Sequence, residues 1–244
     1  MKAFILAAGL GTRLRPLTDE KPKALITAGG KTMLEITMRR LMAAGADDFV
    51  VNLHHFPEQI EEFLRANNNF GAKVSFSYER EKPLETGGGL KHAAPLLDGP
   101  EPFFVHNADV YTEMDLRAMY KAHLENGAVA TLAVMDRPTT RKFLFDNEGR
   151  LRGWRGKEET RWAHKPCKAD ALAFSGVHVI SPVIFPKLTE EGVFSMTDVY
   201  LRLAKIGERI RPFRADGTYW ADIGTPEKLA ALEARLSRTG LKLD

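Results

Sequence analysis

Short apolar runs that alternate with amphipathic helical stretches limit most strongly what this chain can fold into. Lys2–Ala7 reads as a buried strand, and Thr32–Ala44 as a helix with Met33, Leu34, Ile36, Leu41 and Met42 as apolar positions. Phe49–Leu53 is strand-like again. Pro57–Ala66 opens with proline at a first helical turn and places Ile60, Phe63 and Leu64 on one face. Lys73–Tyr78 alternates as a strand, Gly88–Leu97 reads as a helix, and Pro102–His106 as a further strand. Asp115–Asn126 is a helix that stops before Gly127, followed by a strand at Ala128–Met135. This β-α-β-α order implies an α/β fold with a mixed, mostly parallel sheet and helices on both faces.

The second half is less regular and suggests a small β insertion. Phe143–Asp146 and Arg150–Trp154 flank an Asn147-Glu148-Gly149 turn, as in a hairpin. Ala171–Ile180 and Ile210–Phe213 read as strands and Met196–Lys205 as a helix. Thr225–Leu236 is a closing helix capped by Thr225, with Pro226 at its first position. Glu158–Ala169 is polar and without period, which suggests a surface loop. With no internal repeat or low-complexity linker, residues 1–244 are expected to form a single domain, with no room after the closing helix for a large added one.

Charge and cysteine content exclude several functions. The formal charge is only +3, and no Lys/Arg run exceeds two residues, so a nucleic-acid-binding surface is not expected. Cys167 is the only cysteine; it cannot form an intrachain disulfide or a thiolate cluster, and a reducing, cytoplasmic setting is the natural expectation. The apolar start runs directly into Gly-Thr-Arg and fits a strand better than a signal peptide. No apolar run approaches the roughly 20 residues that span a bilayer, so a soluble protein without a membrane partner is expected.

Three clusters carry the chemistry. The first is Ala8-Gly9-Leu10-Gly11-Thr12-Arg13-Leu14-Arg15, continued by Lys21-Pro22-Lys23. In an α/β sheet this loop lies at the carboxyl edge, where ligands collect. Gly9 and Gly11 let a phosphate approach the backbone, while Arg13, Arg15, Lys21 and Lys23 supply cations that would repel one another without an anion. A P-loop would need Gly-Lys-Ser/Thr, and a dinucleotide fingerprint would need glycine where Leu14 stands; neither is present, which argues against a nicotinamide-dependent oxidoreductase. The bland alternative is a strand-to-helix turn with solvated charges. The second cluster, Glu85-Thr86-Gly87-Gly88-Gly89, is either a flexible turn or a surface on which a flat ring lies near free helix-start amides. The third is a pair of aspartates. Asp109 ends the apolar strand Phe103-Phe104-Val105-His106-Asn107-Ala108, and Asp222 stands in Tyr219-Trp220-Ala221-Asp222-Ile223-Gly224. Either could be a cap or turn residue; a carboxylate where Asp109 stands suits Mg²⁺, which prefers oxygen ligands, and Asp222, among aromatic and apolar neighbours, would need a cation or hydrogen-bond donors. His106 is taken as structural.

The run Gly-Leu-Gly-Thr-Arg-Leu-Arg-Pro-Leu-Thr followed by Lys-Pro-Lys resembles the signature of sugar-1-phosphate nucleotidyltransferases, and the later motifs follow in that family's order. The resemblance implies a Rossmann-like nucleotidyltransferase fold and transfer of a nucleotidyl group from a nucleoside triphosphate to a sugar 1-phosphate, without a Ser, Cys or His base. It implies Arg13 and Lys23 as catalytic groups, and Ala7, Ala8, Gly9, Gly11, Thr12 and Arg13 as nucleotide contacts. Glu85, Thr86, Gly87 and Gly88 would meet the base, and Asp109 and Asp222 would hold Mg²⁺. Asn107, Glu158 and Gly176 would meet the sugar, although the region of Glu158 departs from the family's Glu-Lys-Pro arrangement. Ala108-Asp109 likewise replaces the commoner Gly-Asp. The form Leu84-Glu-Thr-Gly-Gly-Gly is closest to compact N-acetylmuramate-1-phosphate uridylyltransferases, with mannose- or heptose-phosphate guanylyltransferases sharing part of it. A non-catalytic sensing subunit would be expected to lack Arg13, Lys23 or one aspartate, and all four are present. Base, sugar, number of metal ions and oligomeric state are left open at this point.

Overall fold

The first turns of the chain show how local signals become structure in the computed structural model, which describes residues 1–243. In chain order it contains β1 (Lys2–Leu6), β2 (Thr27–Ala28), β3 (Lys31–Thr32), α1 (Met33–Ala43), β4 (Asp48–Leu53), α2 (Pro57–Ala66) and β5 (Lys73–Tyr78). There follow α3 (Glu85–His92), β6 (Phe103–Asn107), β7 (Val110–Thr112), α4 (Leu116–Asn126) and β8 (Ala130–Met135). The remainder is β9 (Lys142–Phe145), β10 (Leu151–Arg155), β11 (Thr160–Trp162), β12 (Asp170–Ile180), α5 (Met196–Lys205), β13 (Ile210–Arg214), β14 (Trp220–Asp222) and α6 (Pro226–Thr239). The α/β fold read from the pattern, with a mixed, mostly parallel sheet, helices and a β insertion in the second half, is the one that forms.

Contacts divide the chain into two compact units. The first is made of Met1–Pro83, His106–Leu116 and Thr218–Asp244, and the second of Leu84–Val105 and Arg117–Gly217. The sequence shows no clear boundary because two of the four changes of unit fall inside regular elements, within β6 and at the start of α4.

In the first unit β1, β4 and β5 are parallel, with Leu6 opposite Asn52 and Asn52 opposite Ser77. The apolar runs Ala3–Ile5 and Phe49–Val51 are fully buried, as strands covered on both faces must be. Thr32 caps α1 by accepting from the Glu35 amide at 3.1 Å, and α1 buries Met33, Leu34, Ile36 and Leu41. Pro57 occupies the first turn of α2, following Phe56 at φ 51°. β7 and β14 form a separate antiparallel ribbon, with Asp222 opposite Val110. One apolar cluster holds this unit's site in place: Leu14, Ile26, Met33 and Ile36 pack with Tyr111, Ile223, Leu232 and Leu236.

The second unit is mixed. β13 runs parallel to β8, while β12 is antiparallel to both β8 and β9, and β10 is antiparallel to β9 and β11. The register of β12 shifts between Phe174 and His178, where Gly176 takes φ 76°. Ser195 caps α5 by accepting from the Thr197 amide at 3.1 Å, and the buried Tyr200 hydroxyl lies 2.7 Å from His178 Nδ1.

Two expectations need correction. The helix expected at Gly88–Leu97 begins at Glu85 and gives way after His92 to a short 3-10 turn at Ala94–Leu96, so the glycine cluster lies inside the helix. Glycine lowers helix propensity, but burial of Gly87–Leu90 overrides it. The polar stretch Glu158–Ala169 is not all loop, because Thr160–Trp162 pairs with Gly153–Arg155 as β11. There, cross-strand hydrogen bonding substitutes for an apolar pattern.

Leu232→Ala should destabilise the protein by about 2–5 kcal/mol, since it opens a cavity in the cluster that joins α6 to Leu14 and Ile223. Equilibrium denaturation by urea checks this; a loss below about 1 kcal/mol would mean that the cluster does not anchor α6.

Candidate functional site

The first loop leaves β1 under restraint at both ends. Ala7 and Ala8 donate their amides to Asn52 Oδ1, at 2.6 and 3.2 Å. Further along, Thr18 donates its hydroxyl to the Gly11 carbonyl at 2.9 Å. Gly11 stands at φ 65°, and a Cβ there would meet Thr18 Cγ2 at 2.8 Å, so conformation and space both require glycine. A Cβ at Gly9 would meet nothing within 4 Å, leaving that side of the loop open. Thr12–Leu14 then form a 3-10 turn whose Leu14 is fully buried, which sets exposed Arg13 beside it. The expected mutual repulsion of the four cations is only partly realised. Arg15 pairs with Asp19 at 3.1 Å and Lys23 with Asp109, whereas Arg13 and Lys21 have no acidic partner among the described residues. The chain's own carboxylates neutralise two of the four.

The β7–β14 ribbon brings the two candidate metal ligands together. The Ile223 amide donates to the Asp109 carbonyl at 3.0 Å, so both aspartates occupy the same end of the ribbon. Asp222 Oδ1 accepts from the Gly224 amide at 2.8 Å, and Oδ2 pairs with Lys228 Nζ at 2.6 Å. Burial would raise its carboxyl pKa, but the hydrogen bonds from Lys228 and Gly224, with the charges of Lys228 and Lys23, outweigh it and lower the pKa below the ordinary 3.8. A Cβ at Gly224 would fall 2.6 Å from Asp222 Oδ1 and 3.5 Å from the Arg13 guanidinium, which places Arg13 beside this turn. Among the described residues no group of three or more His, Cys, Asp and Glu side chains could hold a metal. A divalent cation here would have two carboxylates and take its other oxygens from water and phosphate. That is how Mg²⁺ is ordinarily bound at phosphate sites, so the donor set fits.

Nearby, Asn107 ends β6 with its Oδ1 buried and without a hydrogen-bond partner, an acceptor that a ligand hydroxyl could satisfy. His106 is buried, with Nδ1 2.8 Å from the Asn107 carbonyl; burial lowers its pKa to about 4 and keeps it neutral. That suits the structural role expected of it. Ala108 is buried and its amide donates to the Leu6 carbonyl at 3.1 Å, so the methyl that distinguishes it from glycine is accommodated in the core.

The second unit holds the other candidates. Glu85 is exposed at φ 59°, and Thr86 Oγ1 accepts from the Met196 amide at 3.0 Å. The expectation of free amides at Gly87 and Gly88 is corrected, because both donate to the Phe194 carbonyl, at 2.9 and 3.2 Å. A Cβ at Gly87 would come within 2.5 Å of the Phe194 ring, and one at Gly88 within 2.5 Å of the Gly192 carbonyl. These glycines admit a protein segment rather than leaving a space. Glu158 is exposed in the turn between β10 and β11, where Gly156 donates to the Glu159 carbonyl at 2.8 Å. Gly176 is buried in the irregular part of β12. Sequence reasoning missed Asn52, Thr18, Lys228 and Phe194. Only Asn52 left a signal, as an amide inside an otherwise apolar strand.

The family model described as Nucleotidyl transferase matches residues 2–238. The chain is 34% identical to the N-acetylmuramate alpha-1-phosphate uridylyltransferase of Caulobacter vibrioides, over 96% of either chain. It is 31% identical to the mannose-1-phosphate guanyltransferase of Yarrowia lipolytica, over 93% of this chain and 61% of the relative. Among solved structures, HddC from Yersinia pseudotuberculosis complexed with GMP-PN superposes with a TM-score of 0.76 at 24% identity, over 96% of this chain and 99% of that one.

Two outcomes test this geometry. Gly87→Ala should cost about 1–3 kcal/mol of stability through overpacking, and Phe194→Ala in the same chain should recover part of it. Unchanged thermal melting in Gly87→Ala would rule out the close approach. For Asp222 the carboxyl is depressed, so the stability it contributes is present above pH 3.8 and lost as pH falls through its lower folded value. Lys228→Met should raise the Asp222 pKa toward 3.8 in a carboxyl NMR titration and shrink the part of the stability that is lost as pH falls below 3.8.

Proposed function

The chain belongs to the nucleotidyl transferase family and is a sugar-1-phosphate nucleotidyltransferase, and we propose that it makes a UDP-sugar from UTP and N-acetylmuramate 1-phosphate with Mg²⁺. The observation that carries this reading is the placement of Asp109 and Asp222 at one end of the β7–β14 ribbon, with Lys23 acting on both and Arg13 beside the Asp222 turn. The uridylyl preference is supported by the relative from Caulobacter vibrioides, which matches along nearly its whole length. A guanylyl reaction on a mannose or heptose phosphate is the second reading, favoured by the relative from Yarrowia lipolytica.

In the proposed reaction an oxygen of the sugar 1-phosphate attacks the α-phosphorus of the nucleotide. The bond from that phosphorus to the bridging oxygen breaks, and pyrophosphate leaves with the electron pair. A phosphate nucleophile is already ionised near neutral pH, so positioning and charge neutralisation are the protein's contribution. Arg13 supplies a planar donor fork for the triphosphate, and Lys23 a compact charge beside Asp109. Mg²⁺ held by Asp109 and Asp222 would supply Lewis-acid charge at the phosphates. Gly9, Gly11 and Thr12 are assigned to the triphosphate through the open side of their loop. Ala7 and Ala8 serve through their carbonyls or their contact surface, since their amides are engaged. Glu85 and Thr86 are assigned to the base, with Gly87 and Gly88 seating the helix start that carries them against Phe194 and Gly192, and Asn107, Glu158 and Gly176 are assigned to the sugar. We treat residues 1–244 as one nucleotidyltransferase domain, in keeping with a family match from 2 to 238. No helix among the described residues is long and apolar enough to cross a membrane, and a cytoplasmic location is part of the proposal.

Pyrophosphate release is the direct test, crossing UTP, GTP, CTP and dTTP against N-acetylmuramate, mannose, heptose and glucose 1-phosphates. UTP with N-acetylmuramate 1-phosphate should give the highest kcat/KM, and a chelator should abolish it. A higher value for GTP with a mannose or heptose phosphate would replace the uridylyl reading with the guanylyl one. Asp109→Ala and Asp222→Ala should each lower kcat by about 100-fold or more while circular dichroism stays native. Near-normal turnover in either would refute the metal assignment.

A further inference from the structure

Asn52 has no part in the chemistry above, yet its side chain meets the phosphate loop directly. It is the penultimate residue of β4, only 2% exposed, in register with Leu6 of β1. Its Oδ1 takes the amides of Ala7 and Ala8, and its Nδ2 donates to Glu79 Oε1 at 2.7 Å. Glu79 is itself 3% exposed and fixed through its backbone. Its amide donates to the Leu53 carbonyl at 2.8 Å, and His54 Nδ1 lies 2.6 Å from its carbonyl. A buried amide in an apolar strand is costly unless its polar atoms are all used. Here they are used on two consecutive loop donors and one buried carboxylate.

The consequence concerns which donors stay free. Ala7 and Ala8 are engaged by Asn52, and the Gly11 carbonyl is engaged by Thr18. Between these restraints the amides of Gly9, Leu10 and Gly11 have no acceptor among the described residues, and Gly9 faces open space. The free run therefore starts where the hold of Asn52 stops. We propose that Asn52, oriented by Glu79, is a positioning residue that sets the start of the phosphate loop and so aims the Gly9–Gly11 amides at the nucleotide's phosphates. This rests on the nucleotidyl-transfer reading, but it assigns the role to a side chain in the strand beside the loop.

The pairing can be reversed without losing a hydrogen bond. In the double variant Asn52→Asp/Glu79→Gln, the introduced carboxylate accepts from both loop amides and from the introduced side-chain amide. In Asn52→Asp alone, two carboxylates face each other. The experiment measures the Kd of inorganic triphosphate, the kinetics with the best substrate pair and thermal melting for wild type, Asn52→Ala, Asn52→Asp and the double variant. Asn52→Ala and Asn52→Asp should each weaken triphosphate binding by about tenfold, with a matching rise in the nucleotide KM and an unchanged KM for the sugar phosphate. The double variant should return both quantities to near the wild-type values. Lower melting temperatures with wild-type triphosphate affinity would overturn the proposal, because a purely structural Asn52 has no reason to alter phosphate binding in the folded protein. Failure of the double variant to recover affinity while natively folded would overturn it too. Should Asn52→Ala not fold, the single and double charge swaps carry the same comparison. Triphosphate binding needs neither base nor sugar, so a wild type that binds triphosphate but turns over no pair would count against the substrate assignment and not against Asn52.

Discussion

Two carboxylates are fixed at the same end of a narrow ribbon, and cations of the first unit are set against each of them. The Ile223 amide ties Asp222's strand to the Asp109 carbonyl, so neither aspartate can retreat without breaking backbone pairing. The structure answers with cations: Lys23 on Asp109, and Lys228 with the Gly224 amide on Asp222. At Asp222 these donors and the charge of Lys23 outweigh the cost of burial, so it stays a better anion than a free aspartate. The same negative pair that is met by lysines is what suits a divalent cation and the phosphates it accompanies. Those lysines depend in turn on the apolar cluster. Lys23 belongs to a 3-10 turn whose following residue Ile26 packs with Ile223, and Lys228 lies on α6, which is anchored by Leu232 and Leu236.

The phosphate loop shows how a flexible segment becomes a specific one. Glycine alone would leave Gly9–Gly11 able to adopt many conformations, at an entropic cost whenever a ligand binds. Restraint at its two ends, by Asn52 and Thr18, removes part of that cost before binding while leaving the middle donors exposed. The glycines of α3 have the opposite use. Gly87 and Gly88 lie inside a helix because a Cβ at either would collide with Phe194 or the Gly192 carbonyl, and their amides are satisfied by that same segment. Similar glycine-rich text thus serves openness in one place and close packing in another.

Much of the fold was legible because its elements obey local rules. The bounds of α2 and β5 follow from Pro57 and from the alternation of Lys73–Tyr78, and Thr225 caps α6 through the Lys228 amide at 3.4 Å. The misread parts were decided by partners distant in sequence. The α3 start could not be placed because burial against Phe194, more than a hundred positions away, outweighs the low helix propensity of three glycines. β11 is polar and carries no alternation, and only pairing with β10 reveals it. For the candidate site, the residue types at Arg13, Lys23, Asp109 and Asp222 were evident from their motifs, while Asn52, Thr18 and Lys228 looked like ordinary strand, turn and helix residues.

The amino-acid sequence by itself determined the α/β order, the carboxyl-edge loop, the cations and carboxylates available for phosphate chemistry, and membership of a family that such motifs identify. These depend on local propensity and on residue chemistry, both of which can be read one position at a time. The tertiary structure alone decided which groups face each other: Lys23 with Asp109, Lys228 with Asp222, Asn52 with the amides of Ala7 and Ala8, and Phe194 with Gly87. Pairings of this kind depend on strand register and on the desolvation of buried polar groups, and both are properties of chain segments that meet only once the protein has folded.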